Sequence, residues 1–283
     1  VSRRAQFLPA LDLVVMDPGQ IDRRPLTAAD LVDRLVVILQ AADPHLDPVV
    51  AAAYDDVHDD HFDPEVIRRS VEVLAEFAGD GPAVEFAVGT GRLALPLAET
   101  GVRVRGMDIS EAMLEQLRQK PGAEVVEAVV GDMTSLLLCE DARLVYLADN
   151  TIMNLRTQEQ QVACFRNAAS HLVRGGRFVI ETMVPELRHL PPGETIRPFD
   201  VSSRHLGFDE YVDLVGQISI SHHYHIDGDR VRVTTPAFRY VWPSELDLMA
   251  EIAGLSLEHR WADWDREPFT GESRSHVSVW QKR

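Results

Sequence analysis

Only two cysteines occur in 283 residues, Cys139 and Cys164, both in apolar surroundings. That count excludes a disulfide framework and gives no thiol spacing for zinc, so free thiols in a reducing, cytoplasmic compartment are expected. Basic residues are scarce too: 28 Lys and Arg face 45 Asp and Glu, a formal net charge of −17. A chain this acidic repels phosphate backbones. Its cations are scattered as pairs such as Arg3-Arg4, Arg23-Arg24 and Arg68-Arg69, so no nucleic-acid partner is expected. No apolar run reaches the ~20 residues of a membrane span, so no membrane partner is expected either. Pro9 and Asp12 break the N-terminal apolar stretch and no small-residue cleavage site follows, so a secretion signal is not expected. Internal repeats and low-complexity tracts are lacking. What remains is 45% hydrophobic, with 17 Gly and 16 Pro. That suits one elaborated globular domain, or one domain with a small subdomain.

The chain is organised around residues 84–108, VEFAVGTGRLALPLAETGVRVRGMD. An apolar β-type run ends at Glu85-Phe86, and a small-residue turn follows, Ala87-Val88-Gly89-Thr90-Gly91. A helix opens at Arg92–Leu95, and a second apolar run ends in Asp108. Strand, glycine turn, helix, strand, acid is the order of a nucleoside-binding βαβ unit. Gly89 and Gly91 let the backbone turn tightly and lie flat against a ligand. The helix start offers N–H groups, and Asp108 can accept from both ribose hydroxyls. The window Gly89–Ala94 reads G-x-G-x-x-A, which a nicotinamide enzyme would accept. Glu85, an acid before the turn, gives a second reading: acid-x-small-x-Gly-x-Gly.

Residues 1–48 read as an N-terminal helical extension. Thr27–Asp30 suits a capping box, and Leu31, Leu35, Ile38 and Leu39 follow at helical spacing. This helix packs on the core, joins a second subunit in a homo-oligomer, or caps a pocket. Residues 49–283 form the main domain. A helix is expected over Pro64–Ala78, with an acid-rich loop from Tyr54-Asp55 before it. His58 and His61, with Asp59, Asp60 and Asp63, are read as solvated, and no metal is expected there. Ser110 caps a second helix, which Pro121-Gly122 stops. Residues 123–130 and 142–150 read as strands three and four, 157–172 as a helix, and 177–185 as strand five after Gly175-Gly176. Strands alternating with helices predict an α/β fold, a parallel sheet with helices on both faces. Further on, 216–235 reads as a hairpin turning at Asp227-Gly228. Residues 237–242 continue as strand, Pro243–Ala253 as helix, and 255–261 and 276–281 as closing strands.

Four strand ends carry a resemblance. EFAVGTG is similar to motif I of the class I S-adenosylmethionine (SAM) methyltransferases, with Ala87 where the family usually has Gly. MDIS matches its ribose-binding acid and hydrophobic neighbour, GDM its adenine-binding acid, and ADNT the end of the fourth strand beside the transferred methyl. A dehydrogenase needs only the first two. The resemblance implies a Rossmann-like seven-stranded sheet flanked by helices, ending in an antiparallel edge hairpin, with 200–242 as an inserted antiparallel β-layer. It implies SAM as cofactor, leaving as S-adenosylhomocysteine. Glu85, Ala87, Gly89 and Gly91 would hold the turn and the methionine part, with Tyr54 and Arg92 at its carboxylate. Asp108 and Ile109 would take the ribose side, Asp132 and Met133 the adenine, and Ala148, Asp149 and Asn150 the neighbourhood of the sulfonium.

SAM's methyl is already activated, so the protein aligns the acceptor and excludes water. An amine acceptor needs only a lone pair, whereas a hydroxyl often needs a general base. His222, His223 and His225 are candidates. By strand alternation, His222 and Tyr224 share the more apolar face with Ile218, Ile220 and Ile226. The catalytic set expected is therefore His222, Tyr224 and Asn150, with no metal. Asp149-Asn150 alone does not make a magnesium site. Tyr240 and Trp242 either pack in the core or stack on an acceptor. The expectation is methyl transfer to an O or N atom of a small-molecule acceptor, with natural-product and sugar scaffolds as the family analogy. The alternatives are a SAM-binding regulatory or scaffold protein without turnover, and a protein methyltransferase.

Overall fold

The computed structural model describes residues 48–52, 54–57, 63–228 and 230–283. The expected N-terminal helix and His58, Asp59, Asp60 and His61 lie outside these residues. The chain divides into two compact units, whose described parts are residues 48–189 with 239–283, and Leu190–Phe238.

The larger unit contains a seven-stranded mixed sheet. Its strands are β1 (Ala83–Phe86), β2 (Val104–Asp108), β3 (Glu127–Val130), β4 (Ala142–Leu147), β5 (Leu172–Met183), β11 (Leu255–Trp261) and β12 (Ser275–Lys282). Their spatial order is β11-β12-β5-β4-β1-β2-β3. Strands β1 to β5 run parallel, and β12 pairs antiparallel with both β5 and β11. The Rossmann-like sheet with an antiparallel edge is thus as expected. Strand order reverses between β1 and β4, and in open α/β sheets the ligand sits at the carboxyl ends beside such a switch point. Strand β1 is central and buried at all four residues, which is why AVEF carries three apolar side chains.

Helices α1 (Pro48–Ala52), α2 (Tyr54–Val57), α3 (Pro64–Ala78), α4 (Ala94–Glu99), α5 (Glu111–Gln119), α6 (Gln158–His171) and α7 (Pro243–Ile252) belong to this unit. Local chemistry sets their starts. The Asp63 side chain accepts from the Glu65 N–H, with Pro64 in the first turn of α3. Ser110 accepts from the Met113 N–H to start α5, and Thr157 with Gln160 forms a reciprocal capping box on α6. One part of the core gathers Leu74, Phe77, Leu93, Leu97, Leu114 and Leu117. Elsewhere Phe165 stands edge-on to Phe178 and Trp280, with centroids 5.1 and 5.3 Å away.

Several local expectations are corrected. The acid-rich loop at Tyr54 begins as the short helix α2. Residues 123–130 are a 3₁₀ turn (Ala123–Val125) followed by a four-residue strand. The left-handed Gly122 ahead of that turn starts it where a strand was read. Strand β4 stops at Leu147 because Asp149 and Asn150 adopt left-handed backbone, φ 56° and 59°. Strand β5 starts at Leu172, absorbing the Gly175-Gly176 step. The strand read over 237–242 stops at Arg239, and Tyr240 and Val241 are buried while Trp242 is partly exposed.

The smaller unit is an antiparallel layer. Its strands are β6 (Ile196–Val201), β7 (His205–Asp213), β8 (Ile218–Asp227) and β9 (Arg230–Thr234), and β10 (Ala237–Arg239) joins the same sheet at the exit from the unit. The β8–β9 pair closes as Asp227↔Arg230, the hairpin expected at Asp227-Gly228. Strands β6 and β7 were not read individually, and β6 begins ahead of the β-layer expected over 200–242. Pro198 and a register break between Pro198 and Asp200 blur their alternation.

Candidate functional site

The site is built at the carboxyl ends of β1, β2 and β4 and in the turn after β1. The Val88 N–H donates to the Met107 carbonyl (2.9 Å) and the Gly91 N–H to the Val88 carbonyl (3.0 Å), so the turn folds back over the tip of β2. Ala87, Gly89 and Gly91 all have positive φ, at 54°, 54° and 84°. A Cβ on Gly89 would find its nearest neighbour 4.0 Å away, the Ala87 carbonyl oxygen. Left-handed backbone and open space, not crowding by protein, therefore call for glycine there.

Asp108 wires this turn to the start of α5. One carboxylate oxygen accepts from the Gly89 N–H and the other from the Ser110 N–H, both at 2.8 Å. The residue is 7% exposed, while adjacent Ile109 is 57% exposed.

Glu85 lies under the turn. The Tyr146 hydroxyl donates to its Oε2 at 2.9 Å. Burial pushes its carboxyl up to about 8, against the opposing influence of the Tyr146 hydrogen bond and the Arg92 charge. Tyr54 is raised from the ordinary phenol range, first by burial and then by Asp149, with Arg92 opposing. The charge of Arg92 is thus felt by both Tyr54 and Glu85, and by Tyr146 and Glu181. Asp55 ties α2 to the turn: the Thr90 hydroxyl donates to its Oδ1 at 2.7 Å, and Lys120 pairs with its Oδ2.

At the end of β4, Ala148 is buried. The Asn150 carboxamide oxygen accepts from the Met183 N–H at 2.7 Å and so fastens β4's exit to β5. Glu181 accepts from the Asp149 N–H (3.2 Å) and from the Trp264 indole N–H (2.8 Å), and burial raises its carboxyl. Asp132 is exposed, and its Oδ1 accepts from the Thr134 N–H and hydroxyl, both at 2.7 Å. The Met133 carbonyl is anchored by the Asn167 amide at 3.0 Å.

The structure thus gathers Tyr54, Glu85, Ala87, Gly89, Arg92 and Asp108 around one turn, with Asp132 and Met133 following β3 and Ala148–Asn150 following β4. His222 and Tyr224 belong to the antiparallel unit. Both flank Phe208 there, with ring centroids at 4.7 and 5.9 Å, and His222 Nε2 lies 3.0 Å from Glu210 Oε2. Tyr146, Glu181, Asp55 and Trp264 were missed as site residues. An acid within the apolar run of β5 was the available signal for Glu181; Tyr146 reads as an ordinary strand aromatic.

Residues 83–176 match a family described as a methyltransferase domain. A cypemycin N-terminal methyltransferase from a Streptomyces species is 30% identical over 212 residues, 72% of this chain and 84% of that protein. The structure of the CcbJ methyltransferase from Streptomyces caelestis aligns with a TM-score of 0.70 at 35% identity, covering 76% of this chain and 89% of CcbJ. SAM-bound CalS10, an amino pentose methyltransferase of calicheamicin biosynthesis from Micromonospora echinaspora, aligns with a TM-score of 0.63 at 16% identity, 82% of this chain against 97% of CalS10, which speaks for the fold.

Proposed function

Because the chain belongs to the SAM-dependent methyltransferases, we propose that it methylates a nitrogen or oxygen atom of a small-molecule acceptor of natural-product type, with an amine favoured. When bound, SAM would supply an activated methyl group for the acceptor's lone pair. The chain's own task is to hold, align and dehydrate. Asp108 is the observation that carries the reading. Its carboxylate is oriented by two backbone N–H groups at 2.8 Å before any ligand arrives, the fixed acceptor that a ribose diol needs. The open space at Gly89 and the exposed side chain of Ile109 would be available to the adenosyl group. Asp132 and Met133 would receive the adenine. Glu85, Arg92 and Tyr54, which share one electrostatic neighbourhood, would receive the amino-acid end, one acid and one cation for its two charges.

Ala148 and Asn150 would border the reacting methyl. The Asn150 side chain, engaged with Met183, would act by fixing the backbone of that corner. An amine acceptor is supported by chemistry, because a neutral amine brings its own lone pair. It is supported also by the relatives' names, which specify an N-terminal methyltransferase and an amino pentose methyltransferase. For a hydroxyl acceptor, His222, oriented by Glu210, is the base we propose, with Tyr224 beside it.

The test is S-adenosylhomocysteine release over a panel pairing amines with matching alcohols, amino sugars and short peptides included. Turnover on amines supports the proposal. Tight SAM binding without turnover on any member would favour a regulatory or scaffold role, and turnover confined to folded proteins would favour a protein methyltransferase.

A further inference from the structure

In the antiparallel unit, on the opposite face of β8 from His222, three imidazoles stand together. His205 on β7 faces His225 across the β7–β8 register, and His223 lies two residues along β8. One nitrogen from each ring lies within 4.8 Å of the other two. The rings are nearly parallel, with His205 to His225 centroids at 4.6 Å and His205 to His223 at 5.2 Å. We propose that His205, His223 and His225 form a binding site for a first-row divalent transition metal, with zinc the ion that fits.

The donor atoms argue for it. His205 Nδ1 lies 2.7 Å from Asp200 Oδ2. A carboxylate there holds the proton on Nδ1 and leaves the Nε2 lone pair pointing away, the usual arrangement of a metal-ligating histidine. That Nε2 lies 3.1 Å from His223 Nδ1. Two nitrogens bound to one tetrahedral zinc at about 2.05 Å stand roughly 3.3 Å apart, so this pair already has the needed spacing. Without metal, His223 Nδ1–H donates to His205 Nε2. With metal, the His223 proton moves to Nε2, where the Ser221 hydroxyl, 3.1 Å away, accepts it. The His223 N–H thus keeps an acceptor, its hydrogen bond to His205 being exchanged for two metal–nitrogen bonds, and side-chain rotation would bring His225 to the third position. Three neutral imidazoles without a thiolate or clustered carboxylates select zinc, copper, nickel or cobalt over magnesium or calcium. Three protein ligands leave a tetrahedral ion one open position. Strands β7 and β8 would be clipped together, and the Asp200 contact would extend the clip to β6.

Equilibrium dialysis of the untagged full chain against Zn²⁺, read by elemental analysis, tests this. One zinc per chain with a Kd of about 1 μM or tighter is expected, undisturbed by millimolar Mg²⁺. His205→Ala, His223→Ala and His225→Ala should each weaken binding by about 100-fold. Asp200→Asn, which touches no metal, should weaken it by about 10- to 100-fold. A wild-type chain without saturable zinc below about 100 μM would overturn the proposal. So would retained affinity in the histidine variants, or a loss that instead follows substitution of His58 and His61. Should the variants fail to fold, Co²⁺ added to the native chain decides: intense visible bands of a tetrahedral nitrogen-ligated ion support the site, and an octahedral spectrum overturns it.

Discussion

If Glu85 faces the ligand's ammonium group, as proposed, it must lose a proton to do so, and raising the pH from about 6.0 to about 7.5 should tighten SAM binding by about 25-fold. Buried under the glycine turn, this carboxyl has its apparent pKa pushed up to about 8 by desolvation, with Tyr146 and Arg92 opposing. A bound cation reverses that preference, since an opposite charge nearby favours ionised carboxylate. If the bound form titrates well below 6, the apparent Kd scales as 1 + 10^(8 − pH). That factor falls from about 100 to about 4 over this interval. The window stays below the ligand's own amino titration, near 8. Titration calorimetry at four pH values gives the slope. Repeating it in buffers of different ionisation enthalpy counts the proton released, expected to approach one per SAM at pH 6.5. Glu85→Gln keeps the shape and removes the titration, so its Kd should be flat. A wild-type Kd constant within twofold, or an equal slope in Glu85→Gln, would refute the reasoning. The same group sets a stability trend in the unliganded chain. Its folded value is raised, so its contribution is fully present below about 4.5 and is lost as pH climbs through about 8.

Asp108→Ala should raise the SAM Kd at least ~tenfold, because two charge-assisted acceptors vanish; an unchanged titration would remove the ribose assignment. Ala87, at φ 54°, holds a left-handed conformation that costs an L-residue about 1–2 kcal/mol. Ala87→Gly should therefore stabilise the apo fold by about 0.5–1 kcal/mol after the added chain entropy of glycine, read as a higher urea midpoint. His276 is buried and its imidazole is pushed down to about 3 by desolvation, with Arg260 adding to the effect. Being a depressed base, it contributes stability above about 6.5 that is lost as pH falls toward 3. Urea unfolding should show about 2 kcal/mol lost to this group between pH 7 and 5, a loss absent from His276→Gln.

Much of the proposed cofactor bed can be read in sequence because it is local. Glu85, the glycine turn and Asp108 lie within 24 residues, and chirality forces glycine or a strained substitute at each left-handed position. Asp132 was legible as the acid after a short strand. The partners that tune these groups are distant in sequence. Tyr146 reaches Glu85 across 61 positions, and Trp264 reaches Glu181 across 83. No spacing rule links such residues, because sheet order joins them. The antiparallel layer was half visible: Asp227-Gly228 announced one hairpin, while Pro198 and the bulge beside it hid β6 and β7. His205 therefore carried no signal until the β7–β8 register set it opposite His225.

The anchoring of Asp108 by Gly89 and Ser110 has a price at the far end of the cycle. None of those contacts senses whether sulfur still bears its methyl. On the proposed assignment, a bed assembled in advance should grip spent S-adenosylhomocysteine by the same ribose and adenine handles as fresh donor. Sustained turnover would then depend on a hydrolase-class reaction that clears the by-product, and progress curves should bend early in any assay lacking one.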